Sequence, residues 1–129
     1  MATIKRFEDL EIWKEARRLS QKIIELSETT NLKSDFRFKE QIKSSAGSVM
    51  DNIAEGFEID GNLEFRQFLS IAKGSAGEAR SQCYRLLDSK YISENESNIL
   101  IKDYEQLSKR IAGFINYLNK KDFKGNKFK

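Results

Sequence analysis

Apolar residues recur three and four apart along almost the whole chain, the repeat that lines up side chains on one side of an α-helix. Ile12 or Trp13, Ala16, Leu19, Ile23 and Leu26 make the first such stripe. It predicts a helix over about Glu8–Ser27, with Lys14, Glu15, Arg17, Arg18 and Lys22 on the water side. Thr29 to Asp35 reads as a connection, because Thr, Asn, Ser and Asp side chains compete with the helix for backbone hydrogen bonds. A second stripe, Phe38, Ile42, Ala46 or Ser45, Val49, Ile53 and Phe57, predicts a helix over about Asp35–Phe57. Gly56 and Gly61 bracket a short turn, and Phe65, Phe68 with Leu69, Ala72, Ala76, Ala79, Cys83 and Leu86 with Leu87 predict a third helix over about Asn62–Ser89. The fourth, over about Ser93–Asn119, opens on Ser93 and Glu96, the spacing of a capping box, with Ile92 placed as its staple. Leu100, Tyr104, Leu107, Ile111, Phe114 and Leu118 alternate steps of four and three, and Ile101, Ser108 and Ile115 widen that seam towards a second neighbour.

Four amphipathic helices joined mainly by short connections pack most simply as an antiparallel up-down-up-down four-helix bundle, so the fold class expected is all-α. Proline is absent, which leaves long helices uninterrupted. The middles of the second and third helices are built from small residues, among them Ser45, Gly47, Ala72, Gly74, Ser75 and Ala76. Glycine inside a helix costs about 1 kcal/mol against alanine, and tight packing on the small patch of the second helix is the compensation expected for Gly74 and Gly77. The division expected is a bundle over residues 1–119 and a basic tail over 120–129.

Composition narrows the class without naming an activity. A chain of 129 residues can bury roughly two-thirds of its unfolded surface without disulfides or metals. The stretch from Met1 to Phe7 has no apolar core of signal-peptide type, and Cys83 is the single cysteine, so a cytoplasmic location is expected. The formal charge is +3, but Lys120, Lys121, Lys124, Lys127 and Lys129 against Asp122 give the last ten residues +4, leaving −1 for the rest. That tail reads either as a solubilising terminus or as a contact for phosphates. Arg66, Arg80 and Arg85 on the third helix have the same two readings, solvated surface or phosphate contact.

Histidine is absent, which removes Ser-His-Asp and Cys-His nucleophile systems, the usual zinc sites and haem ligation by histidine. No phosphate-cradling glycine loop occurs either. No catalytic residue, metal or cofactor is therefore expected, and the chain reads as a non-enzyme. Carboxylates remain: Glu55 and Glu78 stand near the stripes of the second and third helices, with Asn52 and Gln82 one turn away. A polar network fixing helix register is the reading preferred for these four. A ligand or metal pocket and plain solvent exposure are the others.

Three stretches carry a resemblance. Phe7-Glu8-Asp9-Leu10-Glu11-Ile12-Trp13-Lys14-Glu15-Ala16 is one; Gln41-Ile42 with Ser48-Val49 and Asn52-Ile53-Ala54-Glu55-Gly56 is another; Glu64-Phe65 with Phe68-Leu69-Ser70-Ile71-Ala72-Lys73-Gly74-Ser75 and Glu78 is the third. In that order they resemble the four helix bundle protein family, also called the 23S rRNA intervening-sequence protein or S23 family. The resemblance implies an antiparallel bundle that assembles as a ring-shaped homopentamer, encoded within bacterial 23S rRNA genes, with no established molecular role. It also implies packing and network roles for Asn52, Glu55, Gly56, Gly74, Ser75 and Glu78. A related branch serves diversity-generating retroelements as an accessory protein that binds reverse transcriptase and nucleic acid through a basic surface. This chain departs from the family in lacking a proline before the second helix, and from that branch in its near-neutral body. The function expected is a self-associating scaffold, with Ile24, Ile101 and Ile115 as candidate contacts between copies. The alternative is an accessory nucleic-acid-binding module working with an RNA or a reverse transcriptase.

Overall fold

A computed structural model describes residues 4–123, and within them the chain forms four α-helices and two short 3-10 turns. The helices are α1 (Glu11–Thr29), α2 (Phe36–Glu58), α3 (Asn62–Asp88) and α4 (Glu94–Phe123). Each packs on the next in sequence, α4 returns to α1, and neither diagonal pair packs closely, as in an up-down-up-down bundle. The α1–α4 edge is the thinnest of the four.

The repeat of apolar positions explains the interior. Leu19, Ile23, Ile42, Val49, Ile53, Leu69, Leu86, Leu107, Ile111 and Leu118 are wholly buried, each worth about 1.5–3 kcal/mol against exposure. Ala72, Ala76 and Ala79 are equally buried, so α3 presents its smallest side chains to the core. Ser45, also buried, donates its hydroxyl to the Gln41 carbonyl one turn back.

Local chemistry sets the ends. Asp35 accepts from the Phe38 amide and caps α2, and its second oxygen accepts the Tyr91 hydroxyl at 2.7 Å, tying the two loops at that end together. Ser93 and Glu96 form the expected capping box, each side chain reaching the other's amide, above a buried Ile92. α3 ends in a Schellman motif: the Tyr91 amide bonds the Leu86 carbonyl and the Lys90 amide that of Leu87, with Lys90 at φ 63°. The α2–α3 turn needs Gly61, whose φ of 118° would push a side chain into the Glu64 carboxylate.

Several boundaries differ from those the pattern predicts. Phe7–Asp9 forms a 3-10 turn and α1 begins at Glu11. The connection after Thr29 contains a second 3-10 turn, Asn31–Ser34, which plugs Leu32 fully into the core. α4 continues past Asn119 to Phe123, so Lys120 and Lys121 belong to the helix rather than to a tail.

Candidate functional site

The seam between α2 and α3 is where small residues bring two backbones together, and the glycine responsible is Gly56. A Cβ placed there would sit 2.6 Å from Phe68 Cβ and 3.1 Å from the Phe65 ring. Gly47 and Gly74 do not have that role, because a Cβ at either meets nothing within 4 Å. Gly74 is exposed on the outer side of α3, beside Ser75 and one turn from Ile71. Counting small residues along a helix misses its phase: Ala72, Ala76 and Ala79 turn inward, whereas Gly74 and Gly77 turn out.

A short polar chain crosses the seam, though not through the four residues expected. Asn52 Nδ2 donates to the Ser48 carbonyl and hydroxyl at 2.8 and 2.9 Å, and the Ser48 and Ser75 hydroxyls share a 2.9 Å hydrogen bond. Glu55 and Glu78 are exposed and lie outside this chain. Gln82 is buried with its Oε1 unpartnered among the described residues. The network is therefore Ser48, Asn52 and Ser75. The sequence signal for it is a serine one turn before Asn52.

Structural partners occupy the three arginines. Arg66 Nε donates to Asn62 Oδ1 at 2.9 Å and its Nη1 donates to Asn119 Oδ1, while Asn62 Nδ2 donates to the Leu118 carbonyl. These bonds pin the start of α3 to the end of α4. Arg80 pairs with Glu105 of α4 at 3.8 Å, and the Arg85 guanidinium lies 4.1 Å from the centre of the Phe38 ring. Arg18 joins α1 to α4 by bonding both Glu15 and Asp103. Hydrogen bonding to Arg18 holds the Glu15 carboxyl below its usual range. Of the tail, Lys120 is exposed and Lys121 Nζ lies 5.5 Å from the Tyr117 ring centre. Lys124, Lys127 and Lys129 lie outside the described residues.

Two titratable groups are shut away in the core. Burial pushes the Cys83 thiol up to about 12 and raises Tyr104 well above the phenol range. No three His, Cys, Asp or Glu gather into a metal-binding group among the described residues. No helix there is long and apolar enough to cross a membrane.

The outer surface is less ordinary. Phe36 is 70% exposed, and Leu63, Ile71, Tyr84 and Ile99 are each more than half exposed. Ile24 is also exposed, whereas Ile101 and Ile115 are half-buried against the core. Residues 51–64, the α2–α3 turn and its flanks, hold Asp51, Glu55, Glu58, Asp60 and Glu64 with no lysine or arginine.

The bundle is similar to one from a protein of unknown function of the S23 ribosomal protein family of Bacteroides thetaiotaomicron VPI-5482. The TM-score is 0.75 at 21% identity, over 81% of this chain and 95% of that one, a likeness of fold. No curated protein matches the chain. The sequence pattern of the 23S rRNA-intervening sequence proteins matches residues 8–113, which takes in α1, α2, α3 and most of α4, and the chain belongs to that family.

Proposed function

We propose that this protein is a non-enzymatic, self-associating scaffold, acting in the cytoplasm through its assembled surface rather than through a reaction centre. The observation that supports this most is the outer side of α3. Leu63, Ser70, Ile71 and Gly74 are exposed there, small or apolar, and Ile71 is 53% exposed. Apolar side chains left in water beside small residues suit a protein–protein contact. A pentamer is the assembly that the family likeness suggests. Size exclusion with light scattering at micromolar concentration tests it: a mass several times the 15.0 kDa chain is expected, and a monomer overturns the reading. An accessory nucleic-acid role finds less support, since Arg66, Arg80 and Arg85 each have a partner within the bundle.

A further inference from the structure

We infer that copies of this chain dock side by side and the same way up, the α2–α3 face of one against the α1–α4 face of the next. The inference rests on the self-association reading and goes on to name the surfaces. The two faces lie on opposite sides of the bundle, because α1 and α2 are neighbours, as are α3 and α4. Hydrogen bonds between helices fix their relative heights: Ser48 is level with Ser75, Asn62 with Leu118, and Arg18 with Asp103.

Charge along those heights is opposite on the two faces. At the turn end the α2–α3 face carries exposed Glu55, Glu58, Asp60 and Glu64. Towards that end α1 and α4 carry Lys14, Lys109, Arg110, Lys120 and Lys121, which outnumber Glu11 and Glu15 even with Glu8 and Asp9 before α1 added. At the other end the signs reverse. There α2 and α3 carry Arg37, Lys39, Lys43 and Arg85 against Glu40 and Asp88, and α1 and α4 carry Glu25, Glu28, Glu94 and Glu96 against Lys22. A parallel pairing sets acid against base at both ends, and the small or apolar residues between them, Ser44, Ser48, Ile71, Gly74 and Ser75, flanked by the exposed acids Asp51 and Glu78, allow close approach. Pairing two α2–α3 faces head to tail would also match the turn end to the arginine end. It would leave Ile99 and Tyr117 on the α1–α4 side in water. Two different patches meeting in this way make a heterologous contact, which closes into a ring when the rotation allows.

The test is charge reversal on one face, then on both. Glu55→Lys with Glu58→Lys reverses one face, and Lys14→Glu with Arg110→Glu reverses the other; all four residues are exposed, and circular dichroism checks that both variants stay helical. Each variant alone is expected to run as a monomer by light scattering, and a chain carrying all four substitutions, in which both faces are reversed, is expected to recover the wild-type mass. Single-face variants that keep the wild-type mass, or a fourfold variant that stays monomeric while folded, overturn these surfaces while leaving self-association standing. A monomeric wild type overturns both. A second measurement does not depend on the variants: carbodiimide cross-linking of mixed light and heavy-isotope wild-type protein. Links between copies from Lys14 or Lys120 to Glu55, Glu58 or Glu64 are expected. Links between copies that avoid those acids overturn the proposed faces.

Discussion

Alanine at Gly74 and alanine at Gly56 should act in opposite directions. Gly74 is exposed and its missing Cβ would touch nothing, so Gly74→Ala should raise stability by about 0.5–1 kcal/mol through reduced unfolded-state freedom. Gly56→Ala drives a methyl into Phe68 Cβ and should lower the melting temperature. Ala76→Leu overpacks a fully buried position and should cost about 1–3 kcal/mol. Thermal denaturation of the three variants checks the phase of both helices at once, and a destabilised Gly74→Ala that keeps its light-scattering mass would place that residue in a contact within one bundle. Cys83 provides a probe of the interior. Its thiol is buried and its ionisation pushed up to about 12, so a thiol reagent at pH 8 should label the native protein only as fast as the bundle opens.

Helix ends and helix pairs carry the next set of effects. Lys90 occupies the left-handed position of the Schellman motif, where a Cβ is unfavourable, so Lys90→Gly should stabilise by about 0.5–1 kcal/mol. Asn62→Leu removes the donor to a carbonyl inside the α3–α4 contact and should cost about 1–3 kcal/mol, seen as a lower urea midpoint. The Glu15–Arg18–Asp103 cluster adds a dependence on acidity. A carboxyl held below its unfolded value contributes its full share above that value and loses it as pH falls through the folded one. As pH falls below the ordinary carboxylate value of 4.5, Arg18→Ala should therefore show a shallower stability loss than wild type, by a few tenths of a kcal/mol for so exposed a pair. Periodicity makes these elements legible: the stripes of α2, α3 and α4 and the Ser93–Glu96 cap stand where the spacing puts them. Less legible is whatever depends on azimuth. A glycine has no side chain to vote for a face, which is why spacing alone puts Gly47 and Gly74 in a seam that Gly56 occupies. The 3-10 turn that buries Leu32 is hidden too, because one apolar residue among polar ones has no period.

For the molecule as a whole, basicity and folding should separate. Truncation after Phe123 removes Lys124, Lys127 and Lys129 and leaves every described helical residue in place, so thermal stability is expected to hold. Any weak, low-salt binding to RNA or DNA oligonucleotides should fall with those charges, by about one unit of salt slope for each phosphate no longer neutralised. Fluorescence anisotropy at two salt concentrations reads this, and sub-micromolar binding near 0.15 M salt that survives truncation would restore the nucleic-acid reading. The thin edge between α1 and α4 bears on how the chain is built in time. Nearly all packing joins helices adjacent in sequence, and α1 meets α4 across the longest stretch of chain with the least contact. Short-range closures are entropically cheaper, so α2, α3 and α4 should gather first and α1 should close the square last. Amide exchange on the folded protein should reveal the same order in reverse: α1 exchanges through an opening that leaves α3 and α4 protected.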